Sequence, residues 1–290
     1  MIDSKRKGEG PEHARFRRAR PGLSLIFFLP VIFLAALFSG SCRRGAEQSL
    51  DRAAEAWDSK DYRAAVEEYE HYLYLNPDGD KSADARFQLA NIYFLNLHRS
   101  DQAITHYRQF LDQNPNSKNA AVARERMAEA FAELGRSYEA IAELEALTPH
   151  DQHERRRIRL RIADLYFDQK NYSQALTEYA KVTEQASYDE LSEQAYLREA
   201  SIYHISRGQY QQAISAYQKL AFNSNDADVR RRALYGISDC HAGLFQFDEA
   251  INILREIKDE GEQRYILKRV SELEQQRREA ARARNEVKLP

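Results

Sequence analysis

The sequence predicts an all-α protein built from repeated helical hairpins. Helix-forming residues dominate the 290-residue chain, whereas glycine (11) and proline (7) are scarce. Sandwiches, barrels and dinucleotide-binding sheets need many tight turns, so this composition argues against them. A small residue also recurs every 35–38 positions along most of the chain. Together, these observations predict an α-solenoid of about six helical hairpins.

Residues 1–41 are predicted to form a signal peptide. Basic residues precede the stretch 23–38, in which only Ser24 and Pro30 are not apolar, and Ser39-Gly40-Ser41 then lead to Cys42. This order of basic, apolar and small residues is typical of an export signal. As a helix the apolar stretch spans about 24 Å, which is short for a membrane crossing. An uncleaved inner-membrane signal anchor is the alternative interpretation.

The segment resembles a bacterial lipoprotein signal because a cysteine follows the small residues. The resemblance implies that Cys42 carries lipid and becomes the first residue of the mature chain. Ser39 stands where that family often has leucine. Arg43 follows the cysteine in place of the aspartate that often retains lipoproteins in the inner membrane. We therefore expect the protein at the outer membrane of a bacterial envelope, facing the periplasm.

Two small residues mark each hairpin. The second helices carry Ala65, Ala103, Ala140, Ala175, Ala213 and Ala250, with large apolar residues four and seven positions later. The first helices carry Ala53, Ala90, Ala128, Ala163, Ala200 and Ser238. Such offsets define one face of a helix. In the second and fifth hairpins the two anchors are one position further apart than in the others, which predicts an extra residue in those two turns.

From about residue 46 to residue 258 the pattern resembles the tetratricopeptide repeat (TPR). Its fullest form is Ala53, Tyr62, Ala65, Tyr69 and Pro77 in the first hairpin. The resemblance implies a right-handed superhelix with a concave groove lined mainly by the first helices. We assign residues 42–258 to six repeats. Residues 259–290 are predicted to be a capping helix and a loose tail.

The sequence gives no indication of catalysis. It contains no Gly-rich phosphate loop, no Gly-x-Ser-x-Gly and no His-Glu-x-x-His. Cys240 is predicted to be a buried, inert thiol. We expect no enzyme activity, no cofactor, no metal and no small-molecule substrate. The net charge of −2 makes no case for nucleic acid.

The expected partners are therefore proteins or peptides in the groove, with the membrane reached through the N-terminal lipid. Trp57, Phe94 and Phe167 occupy equivalent positions and have no obvious partner inside their hairpins. They are predicted to contact a bound peptide, with packing against the adjacent helix as the alternative. The other predicted groove residues are Asn91, Asp164 and His204. Some cytosolic TPR proteins grip a terminal carboxylate with Lys, Asn and Arg, but here Asn91 is predicted to lack the basic companions of such a clamp.

Five arginines crowd the first helix of the fourth hairpin and form a candidate face for an anionic partner: Arg155, Arg156, Arg157, Arg159 and Arg161. The alternative is a solvated helix surface balanced by neighbouring acids such as Glu154 and Asp164. The sequence leaves both interpretations open.

Among lipid-anchored repeat proteins, the chain resembles outer-membrane TPR lipoproteins, especially that of the β-barrel assembly machinery. Tyr107-Arg108-Gln109-Phe110-Leu111 and the Asn-Pro-Asn-Ser that follows suggest it. The resemblance implies a scaffold that docks protein partners in outer-membrane or envelope assembly. Alternatives are a TPR lipoprotein of pilus or secretin assembly, a regulator or activator of a cell-wall hydrolase, and an inner-membrane signal-anchored adaptor. A further alternative is the repeat protein that coordinates envelope constriction, although that protein is usually soluble and has a coiled-coil segment that is missing from this sequence.

Overall fold

The computed structural model describes residues 44–184 and 188–286. Within these ranges every regular element is a helix, which confirms the predicted all-α class. The predicted signal peptide, Cys42 and residues 287–290 lie outside the described part of the chain. The chain divides into two compact units, one ending at Ala85 and one starting at Arg86. No helix in the described ranges is long and apolar enough to cross a membrane.

The N-terminal unit contains the first hairpin. Helix α1 covers residues 44–58 and α2 covers Tyr62–Leu75. In the turn between them Lys60 has a φ of 62°, and the side chain of Asp61 accepts a hydrogen bond from the backbone N–H of Ala64. This cap satisfies one of the free donors at the start of α2. Ala46 and Tyr72 pack together in the core of this hairpin.

The C-terminal unit contains the second to sixth hairpins and a final helix. Helix α3 (Ser82–Asn91) begins just before the unit boundary and continues as a π-helical turn, Ile92–Asn96. The others are α4 (Ser100–Gln113), α5 (Ala120–Glu133), α6 (Ser137–Glu145), α7 (Gln152–Asp168), α8 (Tyr172–Thr183), α9 (Glu190–Ser201) with the π-helical turn Ile202–Ser206, α10 (Tyr210–Asn223), α11 (Ala227–Gly243), α12 (Phe247–Glu256) and α13 (Gln263–Glu286). Odd-numbered helices α1–α11 are the first helices of hairpins one to six, and the even-numbered helices are the second.

The anchor residues are the packing points that the repeat predicts. All six second-helix alanines are fully buried, and the first-helix anchors are at most 2% exposed. Ser238, the polar member of this set, donates a hydrogen bond to the carbonyl of Ala250 at 2.9 Å. Small side chains allow the two helices of a hairpin to approach closely. Large side chains such as Tyr107 and Tyr179 then fill the space next to them and are fully buried.

The two π-helical turns occur in the second and fifth hairpins, where the anchors are one position further apart than elsewhere. In each turn a backbone N–H reaches back to a carbonyl one position beyond the α-helical partner: Leu97 to Ile92 at 3.0 Å, and Arg207 to Ile202 at 3.1 Å. A π turn accommodates one residue more than an α turn. The extra residue predicted from the spacing is therefore absorbed at the end of the first helix, and Ala103 and Ala213 keep their buried positions.

Helix α13 covers the exposed end of the sixth hairpin, as predicted. Ile266 and Leu273 are buried in one apolar cluster with Ile251 and Leu254 of α12. A terminal repeat would otherwise leave this face open to water.

Candidate partner-binding groove

Arginines connect successive first helices through a periodic ladder of contacts. Arg126, Arg161 and Arg198 each stand two positions before the anchor of their helix. Each reaches the residue directly after the anchor of the preceding first helix. Arg161 contacts Glu129 at 2.8 Å, Arg198 contacts Asp164 at 3.3 Å, and Arg126 donates to Asn91. We call this series the arginine ladder.

Tyrosines from the second helices donate to two of the three acceptors of the arginine ladder. The Tyr107 hydroxyl donates to the Asn91 side chain at 2.7 Å, and the Tyr179 hydroxyl donates to Asp164 at 2.6 Å. Burial raises the pKa of both tyrosines well above the usual range, and the hydrogen bond to Asp164 adds to the rise for Tyr179. Both phenols therefore remain donors at neutral pH.

The arginine ladder is interrupted between hairpins five and six. Gly236 and Ser201 occupy the two ladder positions there. A Cβ on Gly236 would lie 2.5 Å from the ring of Tyr217, so no larger side chain fits without moving that ring. The series resumes at the end of the unit, where Arg269 of α13 contacts Asp239 at 2.9 Å.

Two adjoining pockets open between the first helices, on a surface lined by α5, α7, α9 and α11 that we call the A-helix groove. The first, the Glu133 pocket, has a volume of about 370 Å³ and is lined by Phe94, Ala128, Glu129, Ala132, Glu133, Leu144, Arg161, Asp164, Leu165 and Asp168. The second, the Ser201 pocket, has a volume of about 390 Å³ and is lined by Asp164, Gln194, Leu197, Arg198, Ser201 and Arg232. Asp164 belongs to both, so the pockets form a continuous surface. Concave sites with an apolar floor and a few polar groups are typical of ligand binding.

Two of the three predicted groove aromatics, Trp57 and Phe167, do have a ring partner inside their own hairpin, contrary to the sequence prediction. In the N-terminal unit Trp57 is 37% exposed, but its ring makes an edge contact with Tyr62 at 5.4 Å. Phe167 contacts Tyr172 at 5.9 Å, and the guanidinium of Arg198 lies over the Phe167 ring at 5.1 Å from its centre. These contacts are the packing that the sequence left as the alternative.

Phe94 departs furthest from the expectation, because it is only 6% exposed. It belongs to the π-helical turn Ile92–Asn96, whereas Trp57 and Phe167 belong to α-helical turns. Phe94 thus forms part of the floor of the Glu133 pocket and does not project from the wall.

The polar groove candidates have unequal access to a partner. Asn91 is buried and engaged by Tyr107 and Arg126, so it does have an arginine companion, contrary to the sequence prediction. Asp164 lines both pockets. His204 is half-buried, and its ring lies against Tyr210 and Tyr217 at 5.9 and 6.2 Å.

The arginines of α7 do not form a single face, so the prediction of a common anionic-partner surface is wrong. Arg157 and Arg161 both contact Glu125 of α5, whereas Arg159 contacts Glu178 of α8. Arg156 is buried, and Arg155 is exposed and has no hydrogen-bond or ion-pair partner among the described residues. Neighbours on a helix point about 100° apart, so consecutive arginines face different helices. The neutralising acids come mainly from adjacent helices, not from α7 itself.

The arginine ladder was missed by the sequence analysis. Its signal is present, since Arg126, Arg161 and Arg198 recur with the spacing of the repeat. An alignment based on small and aromatic residues identifies packing positions, but it does not identify a charged residue that recurs at the same spacing. In the described ranges no group of three His, Cys, Asp or Glu side chains is arranged to hold a metal ion.

Comparison with known proteins supports the repeat. Residues 84–117 match a family model described as tetratricopeptide repeat. This segment is therefore similar to a single repeat of that family. It covers the second hairpin, including its π-helical turn. No curated protein sequence is similar enough to count as a match.

Several solved structures are similar to the chain at low identity. A tetratricopeptide repeat protein from Parabacteroides merdae is 16% identical over 74% of this chain and 79% of its own, with a TM-score of 0.49. PilF from Pseudomonas aeruginosa is 17% identical over 75% and 92%, with a TM-score of 0.42. PilW, described as a widely conserved type IV pilus biogenesis factor, is 20% identical over 73% and 91%, with a TM-score of 0.42. Similarities at this level assign no function to the helical hairpins described here.

Proposed function

We propose that the protein is a non-catalytic scaffold that docks an extended segment of a partner protein in the A-helix groove. One observation carries the proposal: the Glu133 and Ser201 pockets adjoin on the same wall and share Asp164. A chain laid across α5, α7, α9 and α11 would contact both pockets in succession. TPR hairpins mediate contacts between proteins, and the repeat at residues 84–117 supports this class of function.

The walls of the groove favour a polypeptide over a small polar ligand. Apolar groups such as Leu165 and Leu197 line the pockets together with charged groups such as Arg161, Asp164 and Arg198. An extended segment presents every second side chain to one surface, so it can place apolar and charged side chains along such a wall. The arginine ladder fixes the charged groups before a partner arrives, which lowers the entropy lost on binding.

The burial of the Cys240 thiol supports the non-catalytic part of this proposal. Cys240 is fully buried, and burial raises the pKa of its thiol to about 12. A thiol with such a pKa is protonated at neutral pH, and the protonated form is a poor nucleophile.

We also propose that the scaffold is lipid-anchored and works at the outer membrane, on the periplasmic side, in envelope assembly. The support is the sequence of residues 1–43, in which Cys42 follows the apolar stretch 23–38 and three small residues and is itself followed by Arg43. A lipid on Cys42 would hold the hairpins close to partners in that membrane.

Site-specific photo-crosslinking tests the docking proposal. A photoreactive amino acid is placed at Ala132, which lines the Glu133 pocket, or at Gln194, which lines the Ser201 pocket. The matched control is Gln109, an exposed residue of the second helix α4. We expect both groove positions to crosslink to one segment of one partner, in the order set by the pockets, and the control to give no such product. Crosslinks that form only at Gln109 would overturn the proposal.

A further inference from the structure

The Glu133 pocket combines an apolar floor with an excess of carboxylates. Phe94 and Leu165 contribute to the floor, and four carboxylates line the walls, those of Glu129, Glu133, Asp164 and Asp168. Among the described residues of the lining, Arg161 is the one cation. Acidic groups around a partly enclosed apolar surface attract a cationic group and reject an anionic one.

Two of the four carboxylates, Glu133 and Asp168, have no cationic partner among the described residues, whereas Asp164 is paired with Arg198. Arg161 is held by Glu125 and Glu129, at 3.3 and 2.8 Å. Glu133 accepts one hydrogen bond, from the Ser100 hydroxyl at 2.5 Å. Asp168 is exposed and has no hydrogen-bond or ion-pair partner among the described residues.

Glu133 and Asp168 occupy equivalent positions of neighbouring repeats, each five positions after its anchor. They therefore stand on either side of the joint between hairpins three and four. Glu133 and Asp168 are thus a further pair of acceptors that continues the arginine ladder. The described residues supply no arginine to pair with them.

The contacts of the arginine ladder show how the A-helix groove holds an arginine side chain that the chain itself supplies. Arg198 pairs with Asp164 while its guanidinium lies over the ring of Phe167. Arg126 donates to Asn91 and lies 5.7 Å from the ring centre of Phe87. In both contacts a guanidinium meets an oxygen acceptor and an aromatic face together, a combination that suits arginine better than lysine.

We infer that the Glu133 pocket receives an arginine side chain from the docked partner segment. The guanidinium pairs with Glu133 and Asp168, and the aliphatic stem of the arginine covers the floor at Phe94 and Leu165. The inference rests on the proposed docking function and specifies the chemistry of the segment that docks.

Fluorescence anisotropy with a matched pair of peptides tests the inference. The full chain in mild detergent is titrated into a fluorescein-labelled peptide of alanines and leucines with one central arginine, or into the same peptide with citrulline, which has the same shape and no charge. We expect the arginine peptide to bind about tenfold more tightly, a difference of about 1.4 kcal/mol. Asp168→Asn or Glu133→Gln should remove most of that preference, and raising the salt concentration should reduce it.

Asp112→Asn is the matched control. It removes the same charge from an exposed position at the end of α4, outside the pocket lining. We expect it to keep the preference for arginine. Because Asp168 is exposed, Asp168→Asn should melt like the wild type, which separates a binding effect from unfolding.

The outcomes distinguish this inference from the docking proposal. Equal binding of the two peptides, or no binding of either, overturns the inference, and the docking proposal then stands if Ala132 and Gln194 still crosslink to a partner. A preference for arginine that survives both Asp168→Asn and Glu133→Gln also overturns the inference, because the pocket would not be its origin. Crosslinks confined to Gln109 would remove the docking proposal as well.

Discussion

Arg156 holds the joint between hairpins four and five through four hydrogen bonds. It is only 7% exposed and donates to the Val182 carbonyl at 2.6 Å, to both carboxylate oxygens of Asp189 at 2.6 and 2.7 Å, and to the Ser192 hydroxyl at 3.0 Å. We expect Arg156→Ala to lower the free energy of unfolding by about 3 kcal/mol, because it leaves the buried Val182 carbonyl without this donor and removes the cationic partner of Asp189. Urea denaturation measures the effect. The adjacent exposed Arg155→Ala is the control, and an equal loss in both variants would contradict this account.

The same ion pair predicts how stability depends on pH. The hydrogen bond from Arg156 holds the pKa of Asp189 well below its usual range, and the N–H and hydroxyl of Ser192 lower it further. A carboxyl whose pKa is depressed by folding stabilises the protein above its unfolded pKa of about 4, and this contribution is lost as the pH falls toward the folded pKa. We expect Asp189→Asn, which retains a capping side chain for α9, to be less stable than wild type at pH 7. The difference in urea midpoint should shrink as the pH is lowered below about 4, and a constant difference would exclude this linkage.

Phe94 is expected to act mainly on stability. A side chain that is 6% exposed leaves a cavity when truncated, so Phe94→Ala should reduce the free energy of unfolding by about 3 kcal/mol or more. Thermal melting followed by circular dichroism checks this. Phe222→Ala, at a large apolar side chain that is 89% exposed, provides the comparison and should change the melting temperature little. Similar melting temperatures for the two variants would mean that Phe94 is not a core residue and is free to contact a bound peptide in the groove.

The contrast between Phe94 and the anchors shows which residues a sequence can place. Burial of Ala140 or Ala175 follows from periodicity, because the same local packing recurs in every hairpin. The burial of Phe94, which lies in a π-helical turn, does not follow from that periodicity, because the spacing reveals an extra residue without revealing which helix absorbs it. The contact of Arg198 with Asp164 joins the first helices of two different hairpins, so apolar periodicity alone does not indicate it.

At the level of elements, the π-helical turns keep the register of the hairpins that contain them. The extra residue in hairpin five ends α9 with a turn that includes Ile205, which is 77% exposed. Deleting Ile205 restores the shorter anchor spacing of the other hairpins, and the turn can then close as an α-helix. We therefore expect this deletion to leave the melting temperature within a few degrees of wild type, which corresponds to about 1 kcal/mol.

Deletion of Asp168 is the matched control, since Asp168 is also exposed and lies at the end of the first helix of hairpin four. That hairpin already has the shorter spacing, so the deletion would shift Ala175 out of its buried position and should cause a large loss of helical signal on heating. Equal tolerance of the two deletions would mean that the turns, and not the anchors, determine the register.

For the whole molecule, the sequence predicts the architecture more completely than the binding surface. Each hairpin buries its apolar face only against its neighbours, so six similar units must repeat the same packing residues and the pattern is visible along the chain. The A-helix groove is made of residues that differ from hairpin to hairpin, such as Glu133, Asp164 and Arg232. These residues form pockets only through contacts between helices that are distant in sequence. The sequence of a single repeat does not reveal such contacts.

Attachment of the molecule to a membrane can be tested through its cysteines. If Cys42 carries lipid, labelled palmitate should enter the wild-type chain and should be absent from Cys42→Ala. Cys240→Ala is a close control because Cys42 and Cys240 are the two cysteines of the chain, and it should retain the label.

A signal anchor predicts a different result: no label in any of the three proteins, and a chain that keeps residues 23–38 and sediments with the inner membrane. This apolar stretch reaches about 24 Å as a helix, less than the roughly 30 Å thickness of a hydrocarbon core. The short span therefore favours cleavage, and density fractionation of the labelled wild type should place it with the outer membrane. Label that persists in Cys42→Ala would rule out the lipid at this position.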